Sequence, residues 1–148
     1  MATVKGVNKT LSDTPDIANR MAPGLFDGRV KIAYDSYECD GLAATSIIEM
    51  CPKLPKGAKI IDVILDTDNL TNNATLIVGD YEDDNRYITA TDHGAAALIT
   101  RMNAIDGRMY EIDETIPGDT TTDRQIIITT SVGAATGTIK LIVLYTHD

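Results

Sequence analysis

Forty-four of the 148 residues are β-branched: 18 Ile, 7 Val and 19 Thr. Two substituents on Cβ restrict χ1 in a helix and pack well on a pleated surface, so the chain is expected to be mostly strand. Alternation begins after Gly28. Val30, Ile32 and Tyr34 fall on one face and Lys31, Ala33 and Asp35 on the other, which predicts a half-buried strand over 29–38. Further strands are predicted over 45–50, 58–66, 74–79, 86–90, 108–113, 125–132 and 137–146, making eight in all.

Turn chemistry separates them: Asp40-Gly41, residues 52–57, 69–73, the acidic run 80–85, Pro117-Gly118-Asp119, and a hairpin turn at 133–137. One stretch, 94–103, with Ala95, Ala96, Ala97 and Leu98, permits a short helix, marginal at that length unless packed. The runs Ile126-Ile127-Ile128 and Leu141-Ile142-Val143-Leu144 do not alternate. Such strands are covered on both faces, by a central sheet or by a subunit interface. Short strands at this spacing indicate an all-β fold, an eight-stranded β-sandwich or barrel.

The first 27 residues show neither a 2.0 nor a 3.6 period and contain Pro15 and Pro23, so they are expected to form an extended N-terminal arm ahead of a β-sandwich domain over 28–148. Charge divides in the same way. Residues 1–31 carry five basic and three acidic side chains, and the rest of the chain carries eight basic and nineteen acidic ones, for a total of −9. A mildly basic arm thus precedes an acidic body. That balance, with six Tyr, one Phe and no Trp, argues against nucleic acid. No apolar run approaches the roughly 18 residues of a membrane span, and the first residues lack the apolar block of a secretory signal, so synthesis in the cytoplasm is expected. The sequons at Asn8, Asn69 and Asn73 are then read as unglycosylated.

Chemistry-bearing motifs are sparse. Cys39 and Cys51 lack further partners for a zinc cage and are read as reduced, buried thiols. Asp80, Glu82 and Asp84 match the first, third and fifth positions of a calcium loop, but Asn85, Arg86 and Thr91 break the pattern, leaving an acidic solvated loop. Asp66, Asp68, Asn69 and Asn72 fail sooner, at Leu70. His93 reads as a surface loop histidine, and no nucleophile elbow surrounds Ser12, Ser36, Ser46 or Ser131. Residues 133–137 form neither a dinucleotide fingerprint nor a P-loop. Ala33-Tyr34-Asp35 has a slight likeness to the aspartate motif of trimeric deoxyuridine triphosphatases, but their Gly-Arg-Ser-Gly phosphate motif is absent from the sequence. Neither enzyme activity nor a cofactor is expected.

Four segments carry a resemblance: Phe26-Asp27-Gly28-Arg29-Val30-Lys31 leading into Tyr34; residues 54–63, from Leu54-Pro55-Lys56-Gly57 to Val63; Gly79-Asp80 with residues 84–88; and Gly137-Thr138-Ile139-Lys140 ending in Tyr145. Together they resemble the capsid decoration, or cement, proteins of tailed bacteriophages over roughly residues 26–146. The resemblance implies a jelly-roll-like domain, commonly a homotrimer, placed on the outer capsid surface of the virion and bridging neighbouring major capsid proteins. Related β modules serve as head fibres, tail parts or host-adhesion modules. It also implies an arm that reaches the shell, in which Val4, Val7, Ile17, Met21, Leu25 and Phe26, aided by Lys5, Lys9 and Arg20, are the candidate capsid-binding residues.

Overall fold

The computed structural model describes residues 28–71, 73–113, 122–130 and 135–147. Eight strands account for its regular structure, and no helix occurs among the described residues. They are β1 (Val30–Leu42), β2 (Ile47–Met50), β3 (Lys59–Thr67), β4 (Thr75–Asp80), β5 (Ile88–Asp92), β6 (Leu98–Arg101), β7 (Ile126–Thr130) and β8 (Ala135–Thr146). Two four-stranded sheets, β1–β8–β3–β6 and β2–β7–β4–β5, face each other, with every neighbouring pair antiparallel.

The pairing scheme is that of one long hairpin rolled up. Strand β1 pairs with β8, β2 with β7, β3 with β6 and β4 with β5, and the roll then sets β3 beside β8 and β4 beside β7. Only β4 and β5 are both consecutive and in one sheet, so the β4–β5 turn is the tip of the roll. This is a jelly roll, the fold that the resemblance to decoration proteins implies.

Between the sheets lies one core. Ile60, Val63 and Leu65 of β3 and Ile139, Leu141 and Val143 of β8 meet Leu76 and Val78 of β4 and Ile126 and Ile128 of β7, all fully buried. Cys39 and Cys51 join this cluster as buried free thiols, in agreement with their reading as small apolar residues. Burial raises both thiol pKa values, that of Cys51 to about 11 with help from the nearby Asp35 carboxylate.

The strand assignments need three corrections. Residues 94–103 are not a helix: Leu98–Arg101 form β6, paired with residues 64–67 of β3, because the open edge of β3 supplies partners that a two-turn helix would lack. Residues 108–113 do not form a regular strand. They follow the other half of the β3 edge, with Ile60 N–H donating to the Tyr110 carbonyl at 3.0 Å and Ile112 N–H to the Ala58 carbonyl at 2.9 Å. Met109, at a φ of 60°, breaks the pleat and leaves a single bridge between Lys59 and Glu111. Finally, the link from β7 to β8 crosses between the sheets and is no hairpin. The turn expected at Pro117-Gly118-Asp119 lies outside the described residues, as do residues 133 and 134 of the turn expected at 133–137, whose remaining residues open β8.

Candidate interaction surface

Strand β1 presents its faces in the opposite sense to that suggested by alternation. Ala33 packs against the core, whereas Val30, Ile32 and Tyr34 point away from it and are 59%, 67% and 55% exposed. The cause is the sheet: β1 is an edge strand, and its register with β8 sets the parity of the whole strand.

Cross-strand register extends this apolar row across the outer face of the β1–β8–β3–β6 sheet. Ile32 lies opposite Leu144, which lies opposite Asp62. The next row reads Tyr34, Ile142, Ile64 and Arg101, and the third Ser36, Lys140, Asp66 and Ile99. Ile64, Ile142 and Leu144 are half-buried by their neighbours, and Ile99 is 65% exposed. Fully burying a side chain of this kind is worth about 1.5–3 kcal/mol, so a contiguous set left wholly or partly in water is a candidate contact surface.

A polar pair sits inside the patch. Arg101 donates from Nε to Asp62 Oδ2 at 2.9 Å and closes the ion pair through Nη2, while Val63 N–H donates to Oδ1 at 2.9 Å. Asp62 is buried although Arg101 is largely exposed. A shallow depression of about 440 Å³ beside them is lined by Ile61, Asp62, Arg101, Met102, Arg108 and Leu144.

The polar clusters considered as chemical sites turn out differently. His93 is fully buried, not a surface loop residue, with Nδ1 2.8 Å from Thr67 Oγ1 and Nε2 3.4 Å from Thr100 Oγ1. A hydroxyl beside an imidazole has the outline of a nucleophile and its base, but a substrate cannot reach a pair enclosed between two sheets. Burial lowers the His93 pKa and keeps the ring neutral. The acidic run is not a uniformly solvated loop either. Asp80 is fully buried and accepts hydrogen bonds from the Glu82 and Asp83 amides at 2.9 and 3.0 Å and from Arg86 Nε at 2.6 Å. Burial raises its pKa, opposed by those donors. Arg86 in turn stacks over Tyr110, with its guanidinium carbon 3.9 Å from the ring centroid. Among the described residues no three His, Cys, Asp or Glu side chains gather to hold a metal.

Val4, Lys5, Val7, Lys9, Ile17, Arg20, Met21, Leu25 and Phe26 lie outside the described residues. The outward rows of β1, β3, β6 and β8 were not singled out from sequence. The unalternating run Leu141–Leu144 was the available signal, since it demands cover on both faces.

No family model and no curated protein matches the chain. Solved structures do. A chain of the cyanophage Pam1 capsid asymmetric unit is 23% identical, with a TM-score of 0.71 over the whole of both chains. Another, from the capsid of Ralstonia phage GP4, is 25% identical with a TM-score of 0.63, covering 82% of this chain and 86% of that one. The fold is therefore one that occurs in phage capsid chains.

Proposed function

We propose that the chain is a non-enzymatic structural protein of a tailed-bacteriophage virion that decorates the outer capsid surface as a homotrimer and bridges neighbouring major capsid proteins. The observation that carries this reading is the end-to-end structural correspondence with a chain of the Pam1 capsid. Reinforcing a shell requires contact area instead of converging catalytic groups, and a rigid jelly roll with an apolar outer sheet face suits that task.

In this reading residues 1–27 form an arm separate from the 28–148 domain, and Val4, Val7, Ile17, Met21, Leu25 and Phe26 dock on capsid subunits with Lys5, Lys9 and Arg20. A segment that orders on contact covers much surface at modest net affinity, and repetition on a lattice multiplies that affinity through avidity. No cofactor, nucleic acid or membrane takes part.

Co-sedimentation with empty expanded capsids tests the reading. The full chain is expected to bind saturably, and a chain starting at Gly28 to bind at least tenfold more weakly. Failure of the full chain to bind would overturn the decoration role, and retention on host cells instead would favour adhesion. An arm-deleted chain of undiminished affinity would remove the arm from the contact.

A further inference from the structure

We propose that the outer face of the β1–β8–β3–β6 sheet is the surface through which copies of this chain bind one another, with the Asp62–Arg101 pair at its centre. The inference rests on the homotrimer reading above and assigns it a surface.

Size supports it. Strands β1 and β8 are 13 and 12 residues long, β3 has 9 and β6 has 4. At about 3.3 Å per residue and about 4.8 Å between strands, the face projects on the order of 600 Å² before its corrugation is counted. One partner in a stable interface contributes about 800 Å², so this single face supplies most of that area.

Composition and charge point to a second copy in particular. Val30, Ile32, Ile64, Ile99, Ile142 and Leu144 give the face an aliphatic band beside Ser36, Asp62, Asp66, Lys140 and Arg101. Permanent homo-oligomers bury such apolar surface more than contacts between separately folded partners do. Residues 32–148 carry eleven more acidic than basic side chains, so two bodies repel over most approaches. In the three rows from Ile32 to Ile99 the charges balance, because Asp62 pairs with Arg101 and Asp66 is the cross-strand neighbour of Lys140, while the acidic Glu38 and Asp40 lie further along β1. Two acidic copies can meet here without that repulsion. Strand β1 adds a long edge to the same face, and an edge on one copy against a face on the next is a head-to-tail contact, the kind that closes into a ring.

Light scattering on gel-filtered full chain reads the outcome, with circular dichroism as the fold control. The wild type is expected at three times the 16.0 kDa chain mass. Ile32→Lys and Ile99→Lys, both at exposed positions, are expected to give folded monomers. Ile47→Lys, exposed on β2 of the opposite sheet, is expected to keep the wild-type mass. A monomeric wild type would overturn the proposal, whether residues 1–27 or a capsid protein cover the face instead. So would I32K and I99K chains that retain the trimer mass. A trimer that fails to sediment with capsids would sink the decoration reading and leave this surface standing, while a monomer that still sediments would do the reverse.

Discussion

His93 Nδ1 lies 2.8 Å from the Thr67 hydroxyl inside the sandwich, with neither side chain open to water. The neutral ring links β3 to the segment that follows β5, and the Thr100 hydroxyl faces its other nitrogen.

This pair sets a pH response. Burial lowers the folded pKa of His93 below the ordinary 6.5, so the unfolded chain binds the proton more readily. Its contribution to stability is complete above about pH 6.5 and is lost as pH falls below that value. We expect the urea midpoint of the wild type to drop from pH 7 to pH 5. His93→Gln, uncharged throughout, is expected to cost about 1–2 kcal/mol at pH 7 and to flatten that slope.

Asp80 and Arg86 should behave in the opposite sense when separated. Both side chains are largely buried, so Arg86→Leu leaves a carboxylate enclosed without its cation and is expected to cost about 3–5 kcal/mol at pH 7. Burial already raises the Asp80 pKa, and loss of the guanidinium raises it further. A raised folded pKa means stability is regained as pH falls. The deficit of the variant against wild type is therefore expected to shrink between pH 7 and pH 5 in matched denaturant titrations.

Gly79 is required by close approach. A Cβ there would lie 2.1 Å from the Asp83 carbonyl oxygen and 2.3 Å from the Asp84 carbonyl carbon, both rigid backbone atoms of the turn at the tip of the roll. Gly79→Ala is expected to destabilise by about 3 kcal/mol, the upper end for overpacking. It should also loosen the turn, seen as faster amide exchange at Arg86 and Tyr87, whose N–H groups donate to Asp83 and Val78.

Cys39 and Cys51 are expected to be inert in the folded protein. Both are buried, and the raised Cys51 pKa leaves a negligible thiolate fraction at pH 8. A disulfide-exchange reagent should titrate no thiol in the native state and two after denaturation. Rapid native labelling would contradict the packing of both residues.

Much of this architecture could be read from residue order. Isoleucine and threonine content announced strands, and turn residues spaced them closely enough that seven of the eight predicted strands coincide with observed ones. The eighth was misplaced for a definite reason: Leu98–Arg101 has alanine-rich flanks that favour a helix locally, while its pairing with β3 is a long-range contact. His93 and Asp80 were misread likewise, because a polar residue in a turn-forming stretch is ordinarily solvated, and only the closing of the roll buries these two.

Local chemistry, then, determined that the chain makes short strands, where most of them lie, and that Leu141–Leu144 needs cover on both sides. Tertiary structure decided the rest: which face of β1 points outward, and hence that Val30, Ile32 and Tyr34 join Ile142, Leu144 and Ile99 in one exposed surface. A strand's period of two fixes which residues share a side but not which side meets the core. That choice is made by register with a strand more than a hundred residues away.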